Sequence, residues 1–314
     1  MNSQIEQWRV QQYTANVYML AQQKGSRLGN LVRSEVFKGK AEYFDRLGLA
    51  TAQLKTSRNS PTPNLDILHS RRMVTTSMYE WATLVDRKDK LQNIHDPENQ
   101  YAIAARNSLG RSMDDVLIAA ALGNAVTGEG GTTTSALGTA QNIAAVSGGA
   151  IGRMNVQALL KAKLLFDQAE AEGPRVFVHT AGFLEAMLEQ TQVTSADYNS
   201  VKALVKGEID TYLGFKFIHT ERLPLTSAGA SSGFAFDPVS GLYSAGGVAV
   251  SSASTAVSGF AFVQDGLILG KNEEAIGRIS ERDDYSYSMQ VYASMDFGAV
   301  RMEEVKVVQI NALP

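Results

Sequence analysis

Apolar positions along this chain follow two periods, and the places where the period changes mark its elements. Between Val36 and Val85 the pattern is strand-like on both sides of "SRNSPTPN", Ser57 to Asn64, whose two prolines and polar neighbours predict a turn or loop tip. A long hairpin is expected there. In its return arm the odd positions Met73, Tyr79, Trp81 and Val85 alternate with Val74, Met78, Ala82 and Leu84, so apolar side chains point to both faces. A hairpin with one wet face would alternate apolar with polar, and an isolated two-stranded ribbon is barely stable in water. The hairpin is therefore expected either to be covered from outside or to lie buried in a sheet of its own domain.

From Asp96 onward the period lengthens. Tyr101, Ala105, Leu109, Met113, Val116 and Ala120 make one stripe, with Asp96 placed as N-cap, Pro97 in the first turn and Gly123 as the stop. The helix so predicted has roughly 26 residues and a length of ~39 Å, well above the ~11 residues of an average helix. A second helix is expected from Val156 to Glu172, capped by Asn155, with Leu159, Leu160 and Leu164 on one face and Gly173-Pro174 at its end. Between the two, the Gly-, Thr- and Ala-rich stretch Thr127 to Gly152 reads as a surface loop with some extended structure.

After Pro174, "RVFVHTAGFLEAML" predicts a short strand running into a helix, and Asp197 to Thr211 predicts another helix. Gly214 is expected to let the chain leave that helix with φ > 0 for a strand in which Phe215 and Phe217 alternate with Lys216 and Ile218. Small residues dominate Ser227 to Ser258, a composition of turns and exposed loops. The chain closes in strands, with Met289, Val291 and Ala293 on one side and Gly298 near a turn before Val305, Val307 and Ile310. Its first thirty residues are polar, with Trp8, Tyr13 and Tyr18 at roughly helical spacing. They cannot make a core and read as an arm that packs on another part of the chain or on another subunit.

Composition narrows the function classes. With 314 residues, 44% of them hydrophobic and 19% charged, the chain can bury at least one large core, in two or more subdomains. A formal net charge of −3 disfavours a dedicated nucleic-acid reader, and pairs such as Arg71-Arg72 and Arg87-Lys88 read as solvated faces. The absence of cysteine removes disulfides and thiolate chemistry. No signal-peptide pattern or membrane-length apolar run is present, so a soluble, non-secreted protein without a removed N-terminal segment is expected.

Catalytic patterns are sparse. In "GNAVTGEGGTTTS" no Lys follows the glycines as a phosphate loop requires, and Gly128-Glu129-Gly130 lacks the final Gly of a dinucleotide fingerprint. The four histidines, His69, His95, His179 and His219, show no paired-ligand spacing. His179, at the end of a strand, is the best general-base candidate. The pairs Asp114-Asp115, Asp283-Asp284 and Glu303-Glu304 carry carboxylates, but helix neighbours diverge by about 100° and strand neighbours point to opposite faces. They are expected on solvated faces. No catalytic, cofactor-binding or metal-binding residue is assigned.

The order of parts, together with "DYNSVKALVKGEIDTYLGFKFIHTERLP" (Asp197 to Pro224) and the ending "GAVRMEEVKVVQI" from Gly298, resembles the major capsid protein of tailed bacteriophages, an α+β fold of the Hong Kong 97 (HK-97) type. The resemblance implies an N-terminal arm (1–34), an extended E-loop hairpin (35–90), a P-domain with a long spine helix (91–172 and 285–314) and an A-domain (173–284). It implies a structural protein rather than an enzyme, assembling with copies of itself into hexamers and pentamers of an icosahedral head around double-stranded DNA contacted non-specifically. A separate scaffolding protein, a portal and a decoration protein are the further partners it raises, with the virion as location and the host bacterial cytoplasm as the place of assembly. Candidate intersubunit contacts are Trp8, Tyr13, Lys55, Arg58, Arg71, Arg72, Tyr79 and Trp81. An encapsulin-like nanocompartment shell is a close alternative, and a soluble enzyme using His179 an alternative of another class.

Overall fold

The computed structural model describes residues 22–59, 64–85, 98–147, 150–190, 211–227, 234–237, 242–245 and 255–313. In chain order the elements begin with β1 (Arg33–Val36), β2 (Ala41–Leu47), β3 (His69–Thr75), β4 (Ser77–Val85) and helix α1 (Glu98–Leu122). Then come β5 (Ala125–Thr127), β6 (Thr133–Ser135), β7 (Asn142–Ala144), β8 (Val146–Ser147), β9 (Ala150–Ile151), α2 (Val156–Gln168), β10 (Arg175–His179) and α3 (Ala181–Leu188). The remainder is all strand: β11 (Thr211–Tyr212), β12 (Phe215–His219), β13 (Leu225–Ser227), β14 (Phe234–Asp237), β15 (Leu242–Ala245), β16 (Thr255–Val263), β17 (Leu267–Arg282), β18 (Ser288–Arg301) and β19 (Val307–Ala312). The chain divides into two compact units, one of Met1–Ser26, Met78–Ser112 and Glu273–Asp296, the other of Arg27–Ser77, Met113–Asn272 and Phe297–Pro314.

The second unit holds a mixed sheet ordered β11-β12-β10-β16-β19-β7, with β13 also on β16. Its middle strand, β16, is buried through Phe260, Ala261, Phe262 and Val263, as expected of a strand covered on both faces. Phe177 meets the ring of Phe217 edge-on at 5.3 Å, and Phe166 of α2 lies 6.1 Å from Phe215, so α2 covers that face. The loop expected through Ser258 thus ends earlier. Small residues occur in β16 because neighbours press on it: a Cβ at Gly259 would lie 2.8 Å from the Phe183 ring and 3.0 Å from the Val178 carbonyl oxygen.

Other boundaries shift for similar reasons. Gly214 does take φ +86°, but together with Leu213 at φ +54° it makes the two-residue turn between β11 and β12. Two successive positive φ values suit a tight hairpin of the primed type. Gly298, by contrast, is no turn residue; it lies inside the uninterrupted β18, and the reversal falls at the 3-10 turn Glu304–Lys306. The stretch 127–152 carries more structure than expected, with β7 in the main sheet and the glycines of 128–131 serving the β5–β6 turn.

In α1 the Ala105, Leu109, Met113 row is buried as expected, but it continues through Leu117 and Ala121, four residues apart, and not through Val116 and Ala120. The proposed cap at Asp96-Pro97 lies outside the described residues, as does the helix expected over Asp197 to Thr211 except for its last residue, which begins β11. Helix α2 begins where Asn155 accepts a hydrogen bond from the Ala158 N–H at 2.8 Å. It stops at Gln168, four residues early, and buries Val156, Ala158, Leu159, Ala162 and Phe166, leaving Leu160 and Leu164 exposed.

Candidate functional site

The hairpin forms, over a shorter length than the sequence pattern implies. β2 and β3 pair antiparallel from Ala41↔Thr75 to Leu47↔His69 in a four-stranded sheet ordered β2-β3-β5-β6. β4 belongs elsewhere, in the sheet ordered β1-β17-β18-β4. Thr76 separates the two strands, and the inward parity flips across it. β3 buries the even positions Arg72 and Val74, whereas β4 half-buries the odd positions Tyr79, Trp81 and Thr83 and exposes Met78, Glu80, Ala82 and Leu84. The expected return arm is thus two strands in different sheets, and β4 keeps apolar residues on both faces, with Met78, Ala82 and Leu84 on the exposed one.

The base of the hairpin rests on its own unit. Phe37, Val74, Ala125 and Val300 form a buried cluster, with Phe44 and Met302 packed against it. Beyond this base every described residue from Leu47 to His69 is exposed. Leu49 is 102% and Leu54 88% exposed, and Leu47 and Leu68 are also open. Single exposed apolar residues are ordinary, but five leucines on one segment, Leu65 included, are a surface awaiting cover. The leucines themselves, flanking a Pro-rich tip, were the available signal for this surface. Lys55 and Arg58 are exposed on the same segment.

Arg71 and Arg72 diverge as strand neighbours must. Arg71 is half-buried, 3.2 Å from Asp45 and over the Tyr43 ring. Arg72 is not on a solvated face: it is 1% exposed and donates hydrogen bonds to the Glu304 carboxylate and, at 3.3 Å, to the Met302 carbonyl. Its guanidinium is therefore used inside the chain. Arg46 donates to the Met302 carbonyl and, at 3.2 Å, to the Ser70 hydroxyl, and lies 3.7 Å from Glu304. Ser135 donates to the same carboxylate at 2.8 Å. Arg301, fully buried, donates to the carbonyls of Ala121 (2.9 Å), Gly123 (2.7 Å) and Ser135 (3.0 Å). Burial pushes the Arg301 guanidinium down to about 10, against the pull of Glu304. Burial alone would raise the Glu304 carboxyl; the Ser135 hydrogen bond, a backbone hydrogen bond and the charges of Arg72 and Arg301 outweigh it and hold the group below its ordinary range.

The acidic pair on α1 is also internal, not solvated. Asp114 accepts from the backbone N–H groups of Arg27 (2.9 Å) and Leu28 (3.1 Å), while Asp115 accepts both prongs of the Arg222 guanidinium. One turn and two turns earlier, Arg111 donates to the Gln22 side chain at 2.8 Å and Asn107 accepts from the Gly25 N–H at 3.1 Å. Residues 22–28 are thus strapped along one ridge of α1, with Leu28 and Val32 buried, so this part of the expected arm packs on its own chain. Trp8 and Tyr13 lie outside the described residues.

His179 is 3% exposed, with Nδ1 2.9 Å from the Thr180 carbonyl and its ring among Phe177, Phe217 and His219. Burial pushes its imidazole below the ordinary value, with the Thr180 carbonyl opposing. Among the described residues no set of three His, Asp or Glu side chains could hold a metal ion. No described helix is long and apolar enough to cross a membrane.

A family model described as phage capsid protein matches residues 5–313. No curated protein matches the sequence. Among solved structures, the capsid asymmetric unit of cyanophage Pam1 aligns with a TM-score of 0.70 at 12% identity, over 98% of this chain and 96% of that one. The capsid of Ralstonia phage GP4 aligns with a TM-score of 0.69 at 10% identity, over 97% and 95%. The capsid of cyanophage P-SCSP1u aligns with a TM-score of 0.66 at 16% identity, over 98% and 94%.

Proposed function

The chain belongs to the phage capsid protein family, and on that premise we propose that it is the major coat subunit of a tailed-phage head, built from copies of itself. Its α+β fold is that of the HK-97 type. The observation that carries the reading is the exposed leucine-bearing hairpin segment, which has nothing to cover it within the described chain. Burying a leucine fully contributes roughly 1.5–3 kcal/mol. Covering Leu47, Leu49, Leu54 and Leu68 then yields about 6–12 kcal/mol, comparable to the ~4–15 kcal/mol lost in rigid-body freedom on association. One such contact per copy is near break-even, and a closed shell repeating it through heterologous contacts is stable collectively.

Within this reading residues 1–34 act as arm, 35–90 as E-loop, 91–172 and 285–314 as P-domain and 173–284 as A-domain. The subunit forms hexamers and pentamers around double-stranded DNA, aided in assembly by a separate scaffolding protein and a portal, in the host cytoplasm before becoming part of the virion. Lys55, Arg58, Arg71, Tyr79 and Trp81 are the described intersubunit candidates whose side chains are at least partly accessible. Its role is structural and non-catalytic, supported by the enclosure of His179.

Electron microscopy of the purified chain, alone and with a co-expressed scaffolding protein from the same source, tests the proposal. Closed particles or ring-shaped capsomers are expected. A chain that stays monomeric under both conditions would overturn it.

A further inference from the structure

The hairpin's polar attachment is one-sided. Arg301 is held by three carbonyls, at Ala121, Gly123 and Ser135, none of them on the hairpin. Arg46 and Arg72, by contrast, reach the body only through the Met302 carbonyl and the Glu304 carboxylate. They are also the outermost inward-facing charged residues of β2 and β3; past the Arg46↔Ser70 pair every described residue of the hairpin is exposed. Two guanidinium groups, those of Arg46 and Arg72, thus meet at one carboxylate, whose charge Arg301 also feels. Arg72 Nη1 and Arg301 Nε are buried and make no hydrogen bond, and Glu304 is the carboxylate that Arg46 and Arg72 face. Inward of this node lies the separate apolar base of Phe37, Phe44, Val74, Ala125 and Val300.

We propose that Glu304 is the anchor that sets where the β2–β3 hairpin leaves the body. With the carboxylate in place the hairpin is fixed out to Arg46 and Ser70. Once it is neutralised, Arg46 and Arg72 repel each other and Arg301, the fulcrum retreats to the Phe44–Val74 base, and the outer hairpin moves as a longer lever while the fold persists. Arg301 stays on its carbonyls in either state. The anchor thereby regulates the reach of the surface assigned above to subunit contact, and its biological use rests on that reading.

Hydrogen exchange on the full-length, unassembled chain tests the anchor without depending on assembly. Glu304→Gln keeps the shape and removes the charge. Exchange is expected to rise about tenfold or more in residues 44–47 and 69–72, with β16 and β19 unchanged. Adding Arg72→Met removes one of the repelling charges and is expected to bring exchange in these segments back toward the wild-type rate. Acceleration spread over β16 and β19 as well would overturn the proposal, since Glu304 would then be a general stability residue. So would an unchanged hairpin, or a double variant as fast as the single one. If the exchange result holds but no particles form, the anchor stands and the coat-subunit reading fails.

Discussion

A Cβ built on Gly298, in the middle of β18, would lie 2.0 Å from the carbonyl oxygen of Thr75, at the end of β3. The two backbones are in contact where the chain passes from the hairpin into β4, and only hydrogen fits between them. Gly298→Ala forces one of them to move, and overpacking of this kind costs about 3 kcal/mol. Thermal unfolding of the variant is expected to show that loss; an unchanged midpoint would mean the crossing is looser than described.

The same reasoning applies to Gly110 on α1, where a Cβ would meet the Gly25 backbone at 2.5 Å. Gly110→Ala is expected to displace the strap around Gly25, speeding proteolytic cleavage within residues 22–28. The cost to stability is expected to be about 1–3 kcal/mol.

How much of this was legible in the sequence depended on whether a local pattern decided the outcome. Helix α1, the Asn155 cap and the Phe215–Phe217 alternation were readable because periodicity and capping act over a few residues. The burial of Asp114, Asp115, Arg72 and Glu304 was not. Each is a charge whose partner lies far away in sequence, such as Arg72 and Glu304, 232 residues apart, and an isolated charge in a sequence reads as solvated. Gly298 misled for a related reason: it is small because a distant backbone presses on it, whereas Gly214 is present for its own φ. At the candidate site, the hairpin and the two-faced apolar pattern of β4 were visible, but the break at Thr76, which puts β3 and β4 in different sheets, needed the pairing of β4 with β18.

Asp115, buried beside the Arg222 guanidinium, offers a test of the charges the sequence concealed. Asp115→Ala leaves a partly buried arginine without its carboxylate, and breaking such a pair costs about 3–5 kcal/mol. Chemical denaturation is expected to show a loss of that order without change in the secondary-structure spectrum. A loss below ~1 kcal/mol, the range of a surface pair, would place the pair effectively in solvent.

Acid should weaken the fold from two sides. The Glu304 carboxyl is held below its ordinary range, so its contribution is full above the unfolded-state value near ~4.3 and is lost as pH falls through the lower folded value. The His179 imidazole is also depressed, so the unfolded chain takes up its proton first, and stability begins to fall as pH drops below ~6.5. His179→Phe, which suits the surrounding rings, is expected to remove the part of the decline that sets in at the higher pH and leave the Glu304 part. Unfolding curves between pH 3 and 8 for both proteins separate the two contributions, and parallel curves would show that His179 has none.

The hairpin leucines should behave in the opposite way to these buried groups. Leu49→Asp with Leu54→Asp touches no packed contact and is expected to leave monomer stability within about 0.5 kcal/mol. Assembly should nonetheless fail. Sedimentation and thermal unfolding of the same sample check both halves of the expectation.

The account depends most on what covers residues 47–59 and 64–69, and a cryo-EM reconstruction of assembled particles observes this directly. Leu47, Leu49, Leu54 and Leu68 are predicted to be buried against a neighbouring copy of the chain. Particles in which these side chains remain in solvent, or fold back onto their own subunit, would contradict it.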